Sequence, residues 1–135
     1  MSIRYRIDPK RRFVHVEPVG TLTQKDIFSF QKKVWSRQEL AGFHELVDVT
    51  RVKRVEYEST ESFKELANLS ASMDPPTIPS KMAIVAATEL HFGLGKMYQA
   101  FRAINSRSTR EVRVFRELAP ALKWLRLPKS ALQGP

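Results

Sequence analysis

The stretch Lys81–Ile104, KMAIVAATELHFGLGKMYQAFRAI, joins an uninterrupted apolar run to a strongly patterned helix. Met82–Ala87 carries no charge and does not alternate, as expected of a strand covered on both faces. Leu90, Leu94, Met97, Tyr98, Phe101 and Ile104 then recur at helical spacing and predict one inward face. Thr88 stands where an N-cap is needed, with Glu89 in the first turn to complement the helix dipole. A buried parallel strand feeding a packed helix is the signature of an α/β domain.

Upstream of this core, Ile3, Tyr5 and Ile7 alternate with Arg4 and Arg6, a half-wetted strand. Asp8-Pro9 opens a turn, and Phe13–Val19 returns as the second strand of an antiparallel hairpin, with Pro18 at its end or edge. Thr23-Gln24-Lys25-Asp26 starts a capped helix whose inward stripe is Ile27, Phe30, Val34 and Trp35, with Gly42 marking its exit. Phe43–Val49 reads as the third strand, parallel to Met82–Ala87. Residues 50–58 fit a loop or a short edge strand.

Ser59 or Thr60 caps a second helix bearing Phe63, Leu66, Ala67 and Met73, which the proline-rich run 74–79 ends. Glu111–Phe115 is a fifth strand, and Leu118, Leu122 and Leu125 mark a last helix that tolerates Pro120 near its start. The order is β-β-α-β-α-β-α-β-α: one domain over 1–127, a five-stranded mostly parallel sheet with helices packed on it, and a loose tail over 128–135.

Composition narrows the function. With 135 residues, 42% hydrophobic and 27% charged, the chain can bury a core without disulfides or metals. No cysteine means no thiolate chemistry, and His15, His44 and His91 lack metal spacing, so neither cofactor nor metal is expected. There is no nucleophile elbow or phosphate-binding glycine loop, and the expectation is a protein that is not an enzyme. MSIRYRIDPKRR has charge where a leader would be apolar, and no run approaches a membrane span; the expected location is the cytoplasm.

The net charge is +9, concentrated in residues 1–12, in Arg51, Lys53 and Arg54, and in residues 102–116, whereas residues 55–80 carry five acids against Lys64. Arg102, Arg107, Arg110, Arg113 and Arg116 are a candidate anion-binding set, and a face shared by several of them would give weak, salt-sensitive, non-specific contact with nucleic acid. No helix-turn-helix or RNP-type motif accompanies them, which ranks this reading last. Gly93 and Gly95 each disfavour a helix by about 1 kcal/mol relative to alanine, so close approach of a neighbour or a ligand should offset them. Together with Phe92, Met97, Tyr98 and Phe101, Gly93 outlines a slot beside the third helix for a small apolar ligand; the same residues also read as ordinary core. Asp48, at the carboxyl end of a parallel strand, stands either where α/β sheets contact ligands or as an acceptor for the following turn.

The opening Tyr5-Arg6-Ile7-Asp8-Pro9, the Gly20-Thr21-Leu22-Thr23 turn, Leu46-Val47-Asp48-Val49, the segment His91–Tyr98 and Val112-Arg113-Val114-Phe115-Arg116, in that order, cover about residues 3–127. In these features the chain resembles the STAS domain family of anti-sigma-factor antagonists typified by SpoIIAA, and more closely the small bacterial SpoIIAA-like (STAS/SEC14-like) proteins. The resemblance implies a non-enzymatic regulatory module acting by protein–protein interaction, with a second copy of the chain or a lipid-like molecule as further partners. Its contact surface would be the loop after the third strand and the start of the second helix: Asp48, Thr50, Arg51, Glu58, Ser59 and Thr60. STAS antagonists switch through a phosphorylated serine; an ungapped comparison from Asp48 places Glu58 at that position, leaving Ser59 and Thr60 as the candidate phosphorylation sites.

Overall fold

A computed structural model describes residues 3–133. β1 (Ile3–Asp8) and β2 (Phe13–Pro18) form the antiparallel hairpin, closed by Asp8, whose Oδ1 accepts the Arg11 backbone N–H at 2.9 Å. β4 (His44–Asp48), β6 (Ser80–Val85) and β7 (Arg110–Phe115) extend it in parallel, giving the order β1-β2-β4-β6-β7. The apolar run that decides the fold is therefore internal, paired on both sides, although β4 rather than β6 is the middle strand. It ends at Val85; Ala86 and Ala87 lead out of it.

From β2 onward the strand order advances in one direction. Right-handed crossovers then place their helices on one face of the sheet. Accordingly α1 (Gln24–Phe30), α2 (Thr60–Ser72) and α3 (Glu89–Ala103) pack against Val14, Val16, Met82, Ile84 and Val112. α4 (Leu118–Leu125) follows the last strand, is free of that constraint, and covers Phe13, Leu46, Ala83 and Val85 on the opposite face. Each such fully buried side chain contributes about 1.5–3 kcal/mol by leaving water.

The caps lie where the sequence puts them. Thr23 Oγ1 accepts from Asp26 N while the Asp26 carboxylate accepts from Thr23 N, Ser59 and Ser62 make the equivalent box for α2, and Thr88 caps α3. Several expectations need correcting. α1 passes into a π-helical turn (Gln31–Trp35) and ends there; Gly42, at φ +83°, instead follows a short 3-10 turn (Gln38–Leu40) and turns the chain into β4. Of the two readings of residues 50–58, the short strand holds, as β5 (Val52–Glu56); the unexpected element is its parallel partner β3 (Gly20–Thr23), with which it forms a separate two-stranded sheet that buries Leu22 and Val52.

Leu90 and Ile104 are 68% and 74% exposed, so α3 turns a different stripe inward: His91, Gly95, Tyr98 and Arg102. Part of the segment after residue 127 is packed. Lys129–Gln133 forms a 3-10 turn, Ala131 is fully buried with the α4 cluster, and the Arg6 guanidinium donates to its carbonyl. Residues 134 and 135 lie outside the described residues.

Candidate functional site

The helical face of the sheet carries two separate apolar clusters. One is built on α1 with β1 and β2, the other on α2 and α3 with β6 and β7. Between them lies an apolar cavity of ≈ 130 Å³. Val16, Val47 and Ile84 line it from the strands and Ile27, Phe30, Phe63, Leu66, Leu94 and Tyr98 from the helices, without enclosing it fully. Gly95 lies in its wall because a Cβ there would come within 3.0 Å of Val114 Cγ1, so the missing side chain lets α3 sit directly on the sheet.

Next to this cavity is a polar cleft of ≈ 300 Å³ between the Gln31–Ala41 segment and the end of α2. Gln31, Glu45, Met82 and Tyr98 line both spaces. Ser36, Gln38 and Pro76 stand exposed at its mouth, and its interior holds two buried ion pairs. Arg110 Nη1 donates to Glu45 Oε1 at 2.7 Å, its Nε to Ser80 Oγ and its Nη2 to the Phe43 carbonyl, and its guanidinium lies 4.0 Å above the Trp35 ring. Glu45, 3% exposed, also accepts from Trp35 Nε1. Burial pushes its carboxyl above the usual range, against the pull of Arg110. Arg102 Nη2 donates to both oxygens of Asp74 at 3.0 Å. Gln31 Nε2 donates to Ser70 Oγ, and burial pushes the Tyr98 phenol up, keeping it neutral.

The structure scatters the expected anion-binding arginines. Arg102 and Arg110 are interior, 2% and 8% exposed, and cannot join an outer face. Arg107, Arg113 and Arg116 remain exposed, with Arg113 beside Glu111 and Arg116 on Glu89 and over the Phe92 ring. Of the expected ligand slot, only Tyr98 lines the cavity. Met97 and Phe101 pack against the α2–α3 cluster, Phe92 sits under Lys96 and Arg116, and Gly93 faces open space. His91, Leu94 and Gly95 line it instead, one step round the helix, and Gly95 was legible as an unfavourable helical residue needing a reason.

In the expected partner surface, Asp48 Oδ1 accepts from Thr50 N and Oγ1, so the carboxylate is engaged in its own turn. Arg51, Glu58, Ser59 and Thr60 are exposed, with Ser59 Oγ committed to the cap of α2. His44 is structural: its Nδ1 accepts the Lys81 backbone N–H, and burial lowers its pKa and favours that neutral form. Among the described residues, no group of three or more His, Asp or Glu is placed to hold a metal ion, and no helix is long and apolar enough to cross a membrane.

The fold and the parallel crossover order are those of the SpoIIAA-like class of α/β domains. The structure is similar to the crystal structure of an uncharacterized protein of the DUF3478 family with a SpoIIAA-like fold from Shewanella loihica PV-4, with a TM-score of 0.59 over 92% of this chain and 93% of that one. At 20% identity that likeness establishes the fold alone. No family model and no curated protein matches the sequence.

Proposed function

We propose that this protein is a non-enzymatic regulatory module that holds a small apolar molecule between its sheet and its α1–α3 layer. The cavity carries this reading. Its volume of ≈ 130 Å³ is close to the about 150 Å³ of engineered apolar cavities that accept benzene or xenon. The SpoIIAA-like fold of the DUF3478 protein supports the regulatory part.

Benzene titrated into labelled protein is expected to shift resonances of Val47, Ile84 and Tyr98 and to raise the melting temperature, as any ligand selective for the folded state does. Leu94→Phe, which fills the space, should abolish both effects while leaving the fold intact. Benzene that leaves these resonances in place would remove the reading.

A second reading, contact with a protein partner, is favoured by one observation. Tyr57, 38% exposed, stands among exposed Glu56, Glu58 and Thr60 at the entrance to α2, beside a groove that also contains Lys25, Phe28 and Lys32. Aromatic side chains ringed by charge are frequent anchors of interfaces. Proteins retained from the native cell lysate by wild type should be lost with Ser59→Glu/Thr60→Glu, which adds the negative charge that phosphorylation would bring. Identical captures by the two baits would eliminate the switch at this loop.

A further inference from the structure

Arg102 is 2% exposed, yet its Nε and Nη1 have no hydrogen-bond partner. Asp74 engages only Nη2, and its Oδ2 is shared with other donors: Ser108 Oγ and the backbone N–H groups of Thr109 and Arg110. Buried guanidinium hydrogens without an acceptor are costly, and native interiors rarely leave them so without a function. Arg102 is one of the side chains that line the polar cleft. Around that cleft Arg37, Arg102 and Arg110 face Glu45 and Asp74, leaving one positive charge in excess.

The cleft and the apolar cavity share Gln31, Glu45, Met82 and Tyr98, and the Arg102 guanidinium carbon is 5.9 Å from the centre of the Tyr98 ring. The Tyr98 ring thus stands between the guanidinium with its two unpartnered nitrogens and the apolar space. We infer that the two spaces form a single site for a small amphipathic carboxylate, its head accepting from Arg102 Nε and Nη1 and its hydrocarbon tail entering the cavity. The inference rests on the apolar-ligand reading and specifies its ligand class. A single excess positive charge matches a mono-anion, and charge-assisted bonds to a buried guanidinium are among the stronger hydrogen bonds available.

Hexanoate, hexanol, acetate and benzene titrated separately into the whole chain test this, with the Arg102 Nε–H resonance as the local readout. Hexanoate should bind roughly tenfold to a hundredfold more tightly than hexanol, should move that resonance, and should be displaced by benzene. Arg102→Met should bring hexanoate down to the affinity of hexanol without weakening benzene. The wild-type resonance keeps the test decisive if Arg102→Met, which strands Asp74, does not fold.

Hexanol binding as well as hexanoate, or an unmoved Arg102 resonance while benzene still binds, overturns the carboxylate assignment and leaves the apolar reading standing. Acetate matching hexanoate overturns the joining of the two spaces. Failure of both benzene and hexanoate to bind overturns both readings together.

Discussion

Arg110→Met is expected to lower the unfolding free energy by about 3–5 kcal/mol, the usual cost of removing one partner from a buried ion pair. Methionine keeps much of the volume above Trp35 but supplies no donor to Glu45 Oε1, Ser80 Oγ or the Phe43 carbonyl. Glu45 would be left with the Trp35 indole alone. The loss should depend on pH. Burial already holds the Glu45 carboxyl above its ordinary value, and without the guanidinium its folded-state pKa rises further.

A carboxyl whose folded pKa exceeds its unfolded one contributes stability that is complete below the unfolded value and is lost as pH rises through the folded one. The deficit of Arg110→Met relative to wild type should therefore be smaller near pH about 4 than near pH about 7, on either side of most of that titration. Urea unfolding at the two values measures it. Glu45→Gln in the same chain should restore much of the stability at neutral pH, because a neutral amide can be buried without a counter-charge. A deficit independent of pH and not relieved by Glu45→Gln would mean that Arg110 acts through its stacking on Trp35 alone.

Asp74→Ala is expected to cost a comparable amount, about 3–5 kcal/mol. Asp74 stands where α2 gives way to the proline-rich connector. Its carboxylate gathers Arg102 from α3 together with Ser108, Thr109 and Arg110 from the approach to β7. Removal strands a buried cation and two backbone N–H groups at once. Asp74→Asn should recover only part, since an amide oxygen in the place of Oδ2 can still accept from these donors but carries no charge to offset the buried Arg102 guanidinium. The change should be local before it is global: hydrogen exchange at the Thr109 and Arg110 amides should accelerate in Asp74→Ala even under native conditions. Unaltered protection at those amides would show that other contacts hold this corner.

Much of the fold was legible because it is written in short-range patterns. The first strand of the hairpin is an alternation that ends in a turn at Asp8-Pro9; the starts of α1, α2 and α3 are hydroxyl caps, Thr23, Ser59 and Thr88, that bond as their spacing predicts. β3 escaped notice because four residues beginning with a glycine give no period, and only its pairing with β5 makes it a strand. The tail read as loose because its apolar Ala131 and Leu132 acquire meaning only against α4.

The candidate site was legible in part. Gly95 signalled a close approach, and Tyr98 belongs to the cavity, but Phe92 and Gly93 point away from it because the buried stripe of α3 runs through His91 and Arg102. An arginine in a sequence reads as a solvated charge. Nothing local to Arg110 announces that Glu45, distant in the chain, will lie 2.7 Å from it.

The sequence by itself determined the order and type of the main elements, their caps and the internal strand, read at Met82–Ala87 and observed at Ser80–Val85, since each depends on neighbours within a few positions along the chain. The tertiary structure alone decided which charges are buried, where a space is left between the two apolar clusters, and that a guanidinium with two unpartnered nitrogens lines the polar cleft beside it. Those features arise from the packing of segments remote in sequence, where shape and electrostatics are set jointly by several elements and by none of them alone.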